Sequence, residues 1–134
     1  MKSKKIFAGV LTVCLSLSAL SQIAFAGTTD YKVRLPISGT RYTPSVKKAT
    51  SSGPATNYVS YFGYPGSKIL CWVSAQEDGT TLTDTSSFTD TGNVYMYYID
   101  SAAADYYGHY TKMGLKTSTG TFNQCDVYGN FDPN

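Results

Sequence analysis

Beyond residue 26 apolar and polar residues alternate with a period of two in several separate runs, most clearly after residue 67, and that period predicts strands. From Lys68 to Gln76, Ile69, Cys71, Val73 and Ala75 fall on one side and Leu70, Trp72, Ser74 and Gln76 on the other. Tyr64-Pro65-Gly66-Ser67 before this run reads as a type II turn, with Pro setting the second position and Gly the positive φ of the third. Asp78-Gly79 after it is a hairpin signal that sends the chain back through Thr80 to about Phe88. Asn93 to Asp100 is apolar on both sides, which suggests a central strand. Ser101 to Gly108 breaks the alternation and fits one helical turn, capped by Ser101 and stopped by Gly108. His109 to Thr117 alternates Thr111, Met113 and Leu115 with Tyr110, Lys112 and Lys116, and Phe122 to Phe131 forms a last strand after a turn at Ser118 to Thr121. Between Gly27 and Ser67, punctuated by Pro36, Pro44, Pro54 and Pro65, only short edge strands are expected, for instance Tyr31 to Leu35. The expected fold is all-β, a small antiparallel β-sandwich with a loop-rich N-terminal half.

The first 26 residues read differently. Lys2, Lys4 and Lys5 precede an apolar run from Ile6 to Leu20 that closes on Ala24-Phe25-Ala26, the pattern of a cleaved secretory signal peptide. Residues 27–134 then form a single secreted β domain, with no membrane anchor expected. Cleavage removes the three lysines, so the excess of 11 Lys plus Arg over 9 Asp plus Glu becomes a balance of about −1. The remaining cations are scattered along the sequence, and Lys47-Lys48, their one adjacent pair, reads as a solvated loop. Nucleic acid is therefore not an expected partner. With Cys14 in the leader, Cys71 and Cys125 are expected to form a disulfide in an oxidising compartment, which would contribute about 4 kcal/mol in the chain-entropy model.

The chemistry within reach is narrow. His109 is the single histidine and Glu77 the single glutamate, so neither a nucleophile with its base nor a facing pair of glutamates can be picked out by spacing. No His-Glu-x-x-His, Cys-x-x-Cys or phosphate-cradling glycine pattern occurs. Asp78, or Asp100 with Asp105, are read as turn and cap residues before they are read as calcium ligands. The expectation is a protein that is not an enzyme and carries no cofactor or metal. His109 itself has two readings, a pH-sensitive contact or a hydrogen-bonded histidine where a strand begins.

The positive signal is aromatic. All 12 tyrosines follow the leader, clustered at Tyr58, Tyr61 and Tyr64, at Tyr95, Tyr97 and Tyr98, and at Tyr106, Tyr107 and Tyr110. With Trp72 they form the candidate binding surface, since a tyrosine joins a large ring to a hydroxyl at small entropic cost. The competing reading is that tyrosine fills core edges in a domain poor in Leu and Phe. The closing run Val127-Tyr128-Gly129-Asn130-Phe131-Asp132-Pro133-Asn134, together with the leader, resembles small secreted Gram-positive β-sandwich proteins of the lactococcin-like bacteriocin kind, Phe131 standing where Trp is commoner. The resemblance implies a secreted, non-enzymatic binding protein acting at a cell envelope, with a protein or glycan component as partner. An extracellular carbohydrate-recognition or adhesion module and a small inhibitor of a secreted enzyme are the alternatives.

Overall fold

The computed structural model describes residues 27–119 and 123–134; the expected signal peptide over residues 1–26, Phe122 and the second half of the expected turn before it lie outside the described residues. Among the described residues nine strands form two antiparallel sheets. Sheet A has the order β1-β9-β4-β7, from β1 (Thr29–Leu35), β9 (Cys125–Asp132), β4 (Ala55–Phe62) and β7 (Gly92–Met96). Sheet B has the order β2-β8-β5-β6, from β2 (Thr40–Tyr42), β8 (Tyr110–Thr117), β5 (Ile69–Ala75) and β6 (Ser86–Phe88), with β3 (Val46–Lys47) also paired to β8. One helical turn, α1 (Ala102–Asp105), precedes β8. The all-β, two-sheet architecture is as the alternation predicts.

Period-two burial gives each sheet one apolar face, and the two faces meet. Sheet A contributes Tyr31, Leu35, Val59, Phe62, Met96, Val127 and Phe131; sheet B contributes Val46, Ile69, Val73, Phe88, Met113 and Leu115. Phe62 and Phe88 meet edge to face across the layers, with ring centroids 5.8 Å apart. The hairpin after β5 forms as read: the Ala75 N–H donates to the Thr80 carbonyl and Gly79 takes φ 75°. The turn before β5 is closed by Ser67 N–H to the Tyr64 carbonyl, with Gly66 at φ 93°. Ser101 precedes α1, but its hydroxyl donates to the Asp105 carboxylate at 2.6 Å rather than capping a backbone N–H.

Several expectations are corrected. The N-terminal half is not confined to edge strands, because the eight-residue β4 lies inside sheet A between β9 and β7. Its alternation is masked by the buried amide of Asn57 and by a bulge between Val59 and Tyr61, which inserts Ser60 and resets the face. Conversely, β7 is an edge strand. Its two-sided apolar pattern arises because Val94 and Met96 face inward while Tyr95 faces solvent.

The two thiols are free, so no disulfide joins the layers. Cys71 lies on β5 beside Asn57, whose amide nitrogen is 3.9 Å from its sulfur, and Asn57 pairs with Phe131. Cys125 sits at the other end of β9, where it pairs with Leu35. Six positions of strand at 3.3 Å each put about 20 Å between those levels, whereas a bridge needs Cα atoms within about 7 Å. Sharing the apolar side of a strand placed both sulfurs in the core but at different heights within it.

Lys48 is also corrected. Its neighbour Lys47 is exposed, but Lys48 is fully buried, its ammonium donating to the main-chain oxygens of Thr50 at 2.6 Å and Asn134 at 3.2 Å. The charge lies 4.5 Å from the centroid of the Tyr98 ring, and the Tyr98 hydroxyl donates to the Pro133 carbonyl. This knot fastens the Lys48–Gly53 loop to the end of β9. Burial lowers the ammonium's pKa, and the nearby Asp132 carboxylate offsets part of that.

Candidate functional site

The solvent side of sheet A is built as three rows running across its strands. Lys32, Tyr128 and Tyr61 pair in the first; Asp30, Asn130, Tyr58 and Asn93 in the second; Asp132, Thr56 and Tyr95 in the third, where Thr56 is covered from solvent. Tyr61 and Tyr128 stack with centroids 4.8 Å apart, and the Lys32 ammonium sits 5.3 Å from the Tyr128 centroid. An aromatic pair of this kind contributes about 0.5–1.5 kcal/mol beyond its buried area, so the rings hold one another in place before any partner arrives. Asn130 donates to the Asp30 carboxylate at 2.9 Å, and Arg34 makes two bonds to Asp126, at 2.8 and 3.2 Å. That hydrogen bond holds the Asp126 carboxyl below its usual range. The outcome is a flat, prearranged surface in which Tyr58, Tyr61 and Tyr95 are each 40–50 % exposed among amides, hydroxyls and charges.

Two tyrosines are core rather than surface. Tyr31 packs over Gly129, where a Cβ would come within 2.8 Å of its hydroxyl oxygen, and donates to Asn57 Oδ1 at 2.6 Å. Burial raises the phenol pKa of Tyr31 and Tyr98 well above the ordinary value. Asn57 thus links Tyr31 to Cys71 through the middle of the sandwich, and burial pushes the Cys71 thiol up to about 12.

The residues singled out from the sequence therefore divide among three places. Tyr58, Tyr61 and Tyr95 share the outer face of sheet A, with Tyr97 just beyond β7 and Tyr64 in the turn after β4. Tyr106, Tyr107 and Tyr110 lie at the corner between α1 and β8, Tyr106 partly buried against the core. Trp72 is on the opposite side of the molecule, facing outward from sheet B. Tyr128 and Lys32 were missed, although the alternation about Val127 and Val33 points both outward.

Trp72 has a specific seat. It pairs with Gly114 on β8, and a Cβ there would lie 2.6 Å from two indole carbons, so the ring covers the glycine. Tyr42 pairs with the same glycine from the other side. Lys112 holds its ammonium 4.3 Å from the Tyr42 centroid, and Lys116 holds its own 5.8 Å from the indole. Exposed contacts of this type are worth about 0.5–1 kcal/mol, weak enough for either lysine to leave its ring for an anion.

The single histidine and single glutamate do meet. His109 Nδ1 is 3.3 Å from a Glu77 oxygen in a shallow groove shared with Ser45, Gln76, Gly108 and Tyr110, and the imidazole packs edge-on against Tyr106. No hydrogen bond joins Ser45 to His109 among the described residues. Asp78 accepts the Thr80 N–H at 3.0 Å and Asp105 accepts the Ser101 hydroxyl, so both carboxylates act locally in turns.

No protein-family model matches this chain, and no curated protein matches it significantly.

Proposed function

We propose that the protein is a secreted, non-enzymatic binding protein of bacteriocin-like character that engages a cell-envelope component through the outer face of sheet A. The observation that supports this reading is the set of cross-strand rows holding Tyr58, Tyr61 and Tyr95 exposed on one rigid surface. Rings with two rotatable bonds, Tyr61 already stacked on Tyr128, lose little freedom on contact, which is what converts exposed area into affinity. The test uses residues 27–134 and isolated Gram-positive cell envelopes. Replacing Tyr58, Tyr61 and Tyr95 with Ser weakens co-sedimentation by at least about tenfold at a temperature where the variant, which loses the Tyr61–Tyr128 stack, is still fully folded, in line with tyrosine's weight in interfaces. Undiminished co-sedimentation of that variant refutes the reading, and growth of every strain in a broad panel at high protein concentration removes its antimicrobial part.

A second reading, carbohydrate recognition, is favoured by one observation: Gly114 lets the half-exposed Trp72 indole pack directly over the outward side of sheet B, beneath the Lys116 ammonium. Flat, single-sided aromatic seats suit the apolar face of a sugar ring.

A further inference from the structure

The cations that are scattered in sequence converge in space. The strands of sheet B carry Arg41, Lys47, Lys112 and Lys116 and no acidic residue, whereas the strands of sheet A carry Asp30, Asp126 and Asp132 against Lys32 and Arg34. The ion pairs among the described residues are Arg34–Asp126 and His109–Glu77, so the cations of sheet B have no carboxylate partner. Lys47, Lys112 and Lys116 occupy the same outward register as Tyr42, Gly114 and Trp72. Arg41 lies at the β2 edge, where a groove of ≈ 430 Å³ gathers Lys32, Arg34, Arg41 and Tyr42. A face whose strands are cationic and aromatic and carry no carboxylate, Glu77 at its margin being paired with His109, is complementary to a polyanion.

From this we infer that the outer face of sheet B binds an acidic polysaccharide, one sugar ring stacking on Trp72 while carboxylates of successive rings pair with Lys112 and Lys116. The inference rests on the carbohydrate reading above and names its substrate class. Geometry favours this polyanion over others. A uronic acid carries its carboxylate at the edge of the ring, so a ring lying flat on the indole holds the charge level with lysines on either side of Gly114, about 13 Å apart along β8. A nucleotide carries its phosphate away from the plane of its base. Insertion into an anionic bilayer calls for exposed aliphatic side chains, and among the described residues the large ones, Ile37 and Ile99, lie off the strands of this face. On binding, each ammonium exchanges its aromatic neighbour for a carboxylate, and the indole exchanges Lys116 for the sugar.

Trp72 is the chain's one tryptophan, so its fluorescence reports on this face alone. Residues 27–134 are titrated with polygalacturonate, neutral dextran, polyphosphate, oligo-dT and phosphatidylglycerol vesicles. The expected result is a saturable emission change with polygalacturonate that weakens with salt, and an affinity lowered about tenfold in Lys112→Gln/Lys116→Gln. The Tyr58, Tyr61 and Tyr95 variant retains the response, because those rings are on the opposite layer. No response to polygalacturonate overturns the proposal, as does an equal response to polyphosphate or a tighter one to oligo-dT or vesicles. A response to dextran without one to polygalacturonate overturns the acidic-ligand proposal while upholding carbohydrate recognition; silence toward both glycans overturns the two together.

Discussion

At the residue scale the instructive cases are Lys48 and the two cysteines, where side-chain type misleads. A lysine in a polar stretch reads as solvated, yet Lys48 spends its charge on main-chain oxygens that the loop and the end of β9 leave inside. Nothing local distinguishes it from Lys47, because the oxygens come from residues 50 and 134, and the latter is visible only once the chain has folded. Lys48→Met keeps the bulk of the side chain and removes the donor, and we expect a loss of about 1–3 kcal/mol in denaturant unfolding, the cost of leaving buried acceptors unpaired. An unchanged midpoint would show that the knot contributes nothing. The cysteines were rightly placed on apolar sides and wrongly joined, since alternation reports which way a side chain faces and not how high in the layer it sits. With burial raising both thiols, Cys71 to about 12, neither reacts with a maleimide in native 27–134 at pH 7, and both react in denaturant. Rapid native labelling of either one contradicts the placement.

At the element scale, strands with uninterrupted alternation were legible and those carrying a device were not. The runs 68–76 and 109–117 match β5 and β8 to within a residue, because Ile69, Cys71, Val73 and Ala75, and Met113 and Leu115, recur at every second position on the buried side. Strand β4 escaped notice through its bulge and Asn57, and β7 was misplaced because exposed tyrosine resembles core in a hydropathy pattern. Of the candidate site, the residue types were legible and their grouping was not: grouping depends on strand order, which alternation does not encode. Both layers use the same device, an aromatic ring laid over a glycine of the neighbouring strand, Trp72 on Gly114 and Tyr31 on Gly129. Gly114→Ala therefore lifts the indole from the sheet. The expected outcome is a red-shifted tryptophan emission and a loss of about 1–3 kcal/mol, the usual range for overpacking. Unshifted emission would show that the ring is not seated there.

At the scale of the whole molecule, two sheets bury one face each and leave two outer faces of different character, tyrosine with mixed charge on one and tryptophan with lysine on the other. The near-neutral balance of residues 27–134 conceals this segregation, which appears only when strand order is known. One charge pair ties the edge of sheet A together. Asp126 has a folded pKa below its unfolded value, so its contribution to stability is fully present above about pH 4 and disappears as the pH falls through the folded value. Melting curves of the wild type and Asp126→Asn are expected to differ at pH 6 and to converge toward pH 2; a constant offset over that range would mean that the carboxylate does not act through its charge. The most direct test of the proposed recognition is a tyrosine-modification footprint of residues 27–134, free and bound to isolated cell envelopes. Tyr58, Tyr61 and Tyr95 should be modified in the free protein and protected in the bound one, while Tyr31 and Tyr98 stay unreactive throughout. Equal modification of the three exposed rings in both states, or protection confined to Tyr107 and Tyr110, would contradict binding through sheet A.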